Sequence, residues 1–426
     1  MLLAVIWVLL YRDPVARDFE YSGFIYQDPS LPKLIASLCL IGILALGLPQ
    51  KLRWPSDIFA WLFFLIVVIP SLTIPLMTAL KLESTLFVAI SLMVSIAQTL
   101  FVSVPRLPIA VGVRSHVSAQ LFWTCFFLLL AAFVLVLLVD FRAGLSRLTS
   151  LTSYSEIYSL RFSYREQASS GFAVAPYFLL WCAKVLIPLL LTWAMVRKRW
   201  FLLVFAVFLQ LLMFSISGHK SFILSLALVT GTLWLYRAEL GGVLFLTAIL
   251  VVTLLAAMIY YLFDNTLLVH ILLRRAFMVP GMLTGFYYEY FSNEGFAFYS
   301  HSFADGLVYS GYERSPAFQI GRIYFGRDET SANANFWADA YANLGHIATI
   351  LATSLLVFIL KFINCLAEKR ERLMVVGVSI VPMWTLLESS LQTTLISHGL
   401  VLALLLAVTL PRQEDRSSVN ASINPV

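Results

Sequence analysis

Charge is scarce in this chain: only 12% of its 426 residues are Asp, Glu, Lys or Arg, about half the share of a soluble domain. Cysteine is scarcer still. The four present, Cys39, Cys125, Cys182 and Cys365, lie in or at the ends of apolar runs without paired spacing, which argues against a disulfide framework or a zinc site and makes them packing residues. The chain also lacks an Asp-x-Asp, a His-Glu-x-x-His and a glycine-rich phosphate loop. Metal-dependent transfer from a nucleotide sugar and nucleotide hydrolysis therefore both lose support, a metal-free reaction fits better, and no cofactor is expected.

What abounds is apolar surface, at 60% of all positions. No soluble core needs that much. The apolar residues come in runs near the roughly 20 residues that carry a helix across about 30 Å of hydrocarbon. Twelve runs qualify: 1–11, 34–48, 57–79, 84–104, 120–140, 173–196, 201–217, 221–236, 242–263, 338–360, 374–392 and 395–410. The fold expected is an all-α, polytopic transmembrane bundle of about 12 spans, a single integral membrane domain over 1–426. The first run is short, has no basic residue before it and no small-residue cleavage site after it, and reads as a weak span rather than a signal peptide.

With the N-terminus inside, the cytoplasmic connections collect Lys51, Arg53, Arg106, Arg114, the Arg197-Lys198-Arg199 triplet, Arg237, Lys361, Lys369, Arg370, Arg372, Arg412 and Arg416. This fits the positive-inside rule, places both termini in the cytoplasm and accounts for the net charge of +6 without nucleic acid. Two long loops remain outside, 141–172 and 264–337. They hold nine arginines (Arg142, Arg147, Arg161, Arg165, Arg274, Arg275, Arg314, Arg322, Arg327) and no lysine, although eight lysines occur elsewhere. Guanidinium binds phosphate or carboxylate as a rigid, permanently charged fork, whereas ammonium is a hydrated point charge. The functional reading is an outward-facing anion site; the plain alternative is arginines that snorkel to headgroups or pair with Asp140, Glu156, Glu166, Asp264 or Glu289.

Within the first loop, Arg161 and Arg165 lie four apart, on one face if helical, and can clamp one phosphate group. Arg274 and Arg275 sit just past a span, at headgroup depth. The stretch Ser331-Ala332-Asn333-Ala334-Asn335-Phe336-Trp337-Ala338-Asp339-Ala340-Tyr341-Ala342-Asn343-Leu344-Gly345 leads into the tenth run with amides, a carboxylate and aromatics. Asn335, Asp339 and Tyr341 there suit sugar recognition, since hydroxyls need directional partners and a pyranose face stacks on a ring; an aromatic belt at a helix entry is the alternative. Arg322 adds a further anion ligand. Lys184, the Gly218-His219-Lys220-Ser221 turn and Glu388 are polar points in apolar surroundings, which mark either a site or a neutralising pair such as Lys184 with Glu388. Asp339, His301 and Glu388 are the candidate general bases, and the sequence does not choose among them.

With these residues the chain resembles the O-antigen polymerases of the Wzy type, multispanning bacterial inner-membrane proteins with two large periplasmic loops. That family carries Arg-x10-Gly patterns in both loops; Arg274 to Gly285 matches, while the first loop has Leu160 where an arginine with ten residues intervening before Gly171 is required, leaving Arg161 and Arg165 to the role. SGHKS and SANANFWADAYANLG are similar to the family's glycine-lysine turn, here with Lys220, and its asparagine-rich entry to a late span. The resemblance implies a GT-C-like membrane glycosyltransferase that transfers a glycan from undecaprenyl pyrophosphate to a hydroxyl of the next lipid-linked repeat unit on the periplasmic face. It also implies an influence of a separate chain-length regulator. The related O-antigen ligase and a flippase of the lipid-linked unit are the other readings.

Overall fold

The computed structural model describes residues 1–78, 80, 83–108, 117–141, 164, 172, 174–238 and 240–411. Among these the chain is all-helical with no strand, and every one of the twelve apolar runs contains a helix. Among the described residues, seven helices are long and apolar enough to cross a membrane: Pro55–Leu76, Ser84–Arg106, Ala119–Asp140, Ala175–Val196, Trp200–Ser217, Gly241–Phe263 and Phe336–Lys369. The other runs fall short of that standard. Leu2–Leu10, Leu31–Leu46, Arg372–Thr385 and Leu400–Thr409 form shorter helices, and Lys220–Arg237 is diluted by its serines, threonines and terminal charges. The chain divides into two compact units, one of Met1–Leu107, Ala238–Lys361 and Leu386–Leu391, the other of Pro108–Arg237, Phe362–Thr385 and Gln392–Val426.

In the first unit, Pro55–Leu76 is apolar on every face and is correspondingly buried along its whole apolar window. Phe59 and Phe63 meet Phe101 of Ser84–Arg106 edge-on at centroid distances of 5.1 and 4.9 Å, a favoured aromatic geometry. Residues 264–337 are not an open loop. A π-helical stretch, Val269–Met278, runs into the helix Val279–Glu294, and Pro316–Phe325 forms another.

Val279–Glu294 packs its small residues on the prolines of Pro55–Leu76. A Cβ added at Gly281 falls 2.4 Å from the Pro70 carbonyl, and one at Gly285 falls 2.6 Å from Leu80 and 3.1 Å from Pro75. This is the small-xxx-small solution to close helix approach in a membrane protein, and it gives the Arg-x10-Gly glycine a packing role. Gly281→Ala is therefore expected to destabilise the fold by on the order of 1–3 kcal/mol through overpacking, visible as a lower unfolding temperature in detergent, because the obstructing atoms are backbone.

Three π-helical stretches, Phe64–Val68, Cys182–Leu186 and Val269–Met278, each end two residues before a proline: Pro70, Pro188 and Pro280. Proline supplies no N–H and collides with the carbonyl four residues back, and a widened turn relieves that collision.

In the second unit, Ala175–Val196 packs against Trp200–Ser217, Lys220–Arg237 and Arg372–Thr385. Gly377 lies so close to Thr192 that a Cβ has no room. The buried Gln210 amide donates to the carbonyls of Ala183 (3.0 Å) and Phe222 (2.8 Å), the first of them in the widened turn Cys182–Leu186, where the helical bonding pattern is interrupted. Buried Lys184 meets His398 Nδ1 at 3.0 Å and Thr385 Oγ1 at 3.5 Å.

The run 374–392 does not stay helical to its end. The helix stops at Thr385, and the Leu386 carbonyl accepts from the Phe336 N–H at 2.9 Å. Glu388 consequently sits in an exposed turn rather than inside an eleventh span, a correction to the sequence reading. Leu386 and Leu387 keep the stretch apolar, so hydropathy alone misses the turn.

Candidate functional site

The site is built around a helix that begins deep and breaks early. Residues 330–335 have no regular structure, yet Ala332, Ala334 and Asn335 are buried. Irregular backbone inside a bundle survives only if its polar groups find partners. Here the Ala332 N–H donates to the Ala317 carbonyl at 3.0 Å, and Tyr287 Oη donates to the Ala332 carbonyl at 3.0 Å. Asn335 caps the following helix, its Oδ1 accepting from the N–H groups of Trp337 (3.1 Å) and Ala338 (2.9 Å), while its Nδ2 donates to Thr284 Oγ1 at 3.0 Å. Phe336 then lies among Phe63 and Phe101, both within helices of membrane-spanning length.

Eight residues later the helix breaks. Leu344 (φ −146°, ψ 25°) and Gly345 (φ 62°, ψ −146°) leave helical geometry, which frees the carbonyls of Ala342 and Asn343. They are taken by the N–H groups of Ala297 and Phe298, both at 2.9 Å, and Asn343 Oδ1 accepts from the Tyr299 N–H at 2.8 Å. Gly345 is required there: its φ is left-handed, and a Cβ would lie 2.7 Å from the Phe296 ring. Secondary transporters use discontinuous helices with unwound backbone to bind substrate, which makes the break a candidate site.

Asp339 stands on the short segment between cap and break, half-buried. Burial and then the nearby Asp339 carboxylate push the Tyr299 hydroxyl up to about 12, so at neutral pH it remains a donor. Tyr341, on the same segment, is buried and stacks on Tyr288 at 3.6 Å, with His346 edge-on at 5.1 Å. Asn335 and Tyr341 thus support the segment that carries Asp339, and the turn holding Glu388 adjoins its start through the Leu386 carbonyl.

The other candidate residues are placed apart from this cluster. Arg274 is buried, its Nη1 donating to Ser22 Oγ at 2.6 Å and its guanidinium 4.8 Å from the Phe19 ring centroid and 5.7 Å from that of Phe24. It anchors the N-terminal segment, while the adjacent Arg275 is exposed. Lysine cannot reproduce the planar stacking, so Arg274→Lys is expected to lower stability by about 1–2 kcal/mol, read as an earlier thermal transition, whereas Arg275→Lys is expected to leave that transition in place. Arg322 is half-exposed and faces Asp328 at 3.7 Å; Arg314 reaches the same carboxylate at 3.3 Å. The pairing alternative therefore holds for both, with a partner the sequence reading had not named. His301 is exposed and bonded through Nε2 to the Tyr312 carbonyl at 2.9 Å. Lys220 opens the Lys220–Arg237 helix of the second unit, just after Gly218 in left-handed conformation. Arg161 and Arg165 lie outside the described residues.

Sequence reasoning missed Thr284, Tyr299 and the break itself, and took in Asn343 only as one amide of the 331–345 stretch. The signal for the break was present: Asn343-Leu344-Gly345 interrupts an otherwise apolar run with two residues that favour helix ends. No known protein family, curated protein or solved structure matches the chain.

Proposed function

We propose that the protein polymerises undecaprenyl-pyrophosphate-linked oligosaccharide repeat units into O-antigen or a similar surface polysaccharide, as a Wzy-type, GT-C-like glycosyltransferase of the bacterial inner membrane. The observation that carries this reading is Asp339, a half-buried carboxylate on a short helical segment between a buried asparagine cap and the Leu344–Gly345 break. In this reading both termini are cytoplasmic and the break faces the periplasm.

Asp339 is the general base. It takes the proton of the acceptor sugar's hydroxyl as that oxygen bonds to the anomeric carbon of the donor glycan. The bond from that carbon to the pyrophosphate oxygen breaks at the same centre, and undecaprenyl pyrophosphate leaves with the electron pair. Exposed Arg275 neutralises the charge that builds on the leaving group, a well-placed donor contributing on the order of 3 kcal/mol. Tyr299, protonated at neutral pH, serves as a hydroxyl donor beside the base.

A deletion strain tests the reading by its lipopolysaccharide profile. Loss of a polymerase leaves core carrying a single repeat unit, and loss of an O-antigen ligase leaves bare core. A core with one repeat unit is expected; bare core overturns the polymerase in favour of the ligase. One observation favours a flippase instead, namely buried Lys184 with His398 inside the second unit, because ionisable groups at membrane depth often line transport paths. Retention of the repeat unit on the cytoplasmic leaflet of the deletion strain is the outcome that reading requires.

A further inference from the structure

Residues 295–312 form a loop tied at its base, where Tyr312 Oη donates to the Gly295 carbonyl at 2.7 Å, while its apolar tip, with Leu307 and Tyr309, is exposed. The start of this loop is fastened to the helix break. The N–H groups of Ala297, Phe298 and Tyr299 all turn to one side, to the carbonyls of Ala342 and Asn343 and to Asn343 Oδ1. Extended chain cannot do this, because its successive residues face alternate ways. Phe298 (φ 51°) and Tyr299 (φ 58°) instead adopt left-handed backbone, two residues with side chains in a row. A conformation that Cβ disfavours persists only where surrounding bonds fix it, and such strain gathers at functional sites.

Asn343 supplies fixing bonds on both sides. Buried, it takes the Tyr299 N–H on Oδ1 at 2.8 Å and donates from Nδ2 to the Asp339 carbonyl at 2.8 Å. One amide therefore joins the backbone that carries the candidate base to the backbone that carries a phenol. The phenol ring is held as well: it stacks on Phe303 at 4.6 Å, and its hydroxyl lies near enough to the Asp339 carboxylate to feel that charge. His301, the next titratable group along the loop, is bonded to the Tyr312 carbonyl.

A carboxylate that accepts beside a phenol that donates complements a hydroxyl, which does both. An ammonium only donates and a carboxylate only accepts, so neither satisfies the pair. A sugar hydroxyl placed there turns its proton to Asp339 and takes the Tyr299 O–H on one lone pair. Its second lone pair is left to attack the anomeric carbon.

We propose that Tyr299 orients the acceptor hydroxyl for Asp339, and that Asn343 is the positioning residue that sets the phenol and the carboxylate at their working distance. The acceptor role rests on the polymerase reading; the placement of Tyr299 by Asn343 does not. The plain alternative is that Asn343 only caps a helix end, in which case it acts on folding and not through Tyr299.

Fluorotyrosine in place of Tyr299 in the purified full-length protein, or separately in place of exposed Tyr309, reports phenol ionisation through its fluorine resonance without any substrate. The label at 299 is expected to ionise at higher pH than the one at 309, because burial and the Asp339 charge hold its proton. Asp339→Asn is expected to narrow that gap and Asn343→Ala to close most of it. Coincident titrations in the parent, or a gap that neither substitution touches, overturn the placement. In glycan extension, Tyr299→Phe is expected to cost about tenfold, the worth of one hydrogen bond. In the Asn343→Ala protein the same change is expected to cost less than about twofold, since groups that act through one another are not additive. Asn343→Asp keeps an acceptor for the Tyr299 N–H, so there the gap is expected to persist and Tyr299→Phe to cost its full factor; loss of either overturns the proposal even if the alanine protein fails to fold. Full cost of Tyr299→Phe in folded Asn343→Ala protein, or parental extension by Tyr299→Phe itself, overturns this proposal alone. A parent that extends no glycan overturns the polymerase reading and the acceptor role with it, while the titrations still decide what Asn343 places.

Discussion

Replacement of Asp339 by asparagine is expected to reduce glycan extension by roughly 10²–10⁴-fold, the usual contribution of a positioned general base. The substitution is nearly isosteric, and it leaves two backbone bonds at this position untouched: the Asp339 N–H donates to the Asn335 carbonyl at 3.0 Å, and the Asp339 carbonyl accepts from Asn343 Nδ2 at 2.8 Å. Folding is therefore expected to survive, and thermal unfolding of the purified variant checks that it does. His301→Gln and Glu388→Gln complete the comparison. Both residues are exposed, His301 in the apolar-tipped loop and Glu388 in the turn before Leu391, and each variant is expected to keep activity within a few-fold of the parent. If Glu388→Gln proves as inactive as Asp339→Asn is expected to be while Asp339→Asn remains active, the base is Glu388 and the assignment made here is wrong.

The second large effect is expected at Gly345. A non-glycine residue held in left-handed backbone costs on the order of 1–3 kcal/mol, and at this position the added Cβ also meets the Phe296 ring at 2.7 Å. Gly345→Ala is thus expected to lower the unfolding temperature and to reduce activity together, because the break, the capped carbonyls of Ala342 and Asn343 and the placement of Asp339 depend on one another. Adding Phe296→Leu relieves the ring contact and leaves the backbone term, so the double variant is expected to recover part of the stability. An alanine at 345 with parental stability would mean that the break is not a fixed feature of the fold.

Much of the architecture was legible from hydropathy, since a helix cannot present apolar side chains on all faces unless something apolar surrounds it. What hydropathy could not show is where a run stops being helix. Leu386 and Leu387 continue the apolar run past Thr385 while the chain turns, and the reason is a partner far away in sequence: the Phe336 N–H claims the Leu386 carbonyl. The same limit applies to 264–337. Its charges and tyrosines mark it as a loop, yet Val279–Glu294 is buried because Gly281 and Gly285 admit Pro70 and Pro75, a fit between two segments that neither announces alone.

The candidate cluster is composed of residue types that the sequence singles out, but their roles in it are not legible there. Asn335 and Tyr341 belong to the cluster, but as a cap and a stacked support, which follows only once Thr284 and Tyr288 are known to face them. Arg274 fits the arginine pattern by sequence, yet its guanidinium stacks on Phe19 and Phe24 and holds the N-terminal segment. Arginine serves phosphate and aromatic faces equally well, so composition could not separate the two uses. The exposed neighbour Arg275 retains the role of anion ligand in the proposed mechanism.

Reconstitution of the purified protein alone in liposomes with undecaprenyl-pyrophosphate-linked repeat units bears most directly on the polymerase. The account predicts a ladder of longer lipid-linked glycans, with release of undecaprenyl pyrophosphate and loss of the ladder in the Asp339→Asn protein. Repeat units that cross the bilayer or remain where they were placed, unchanged in length, would contradict it.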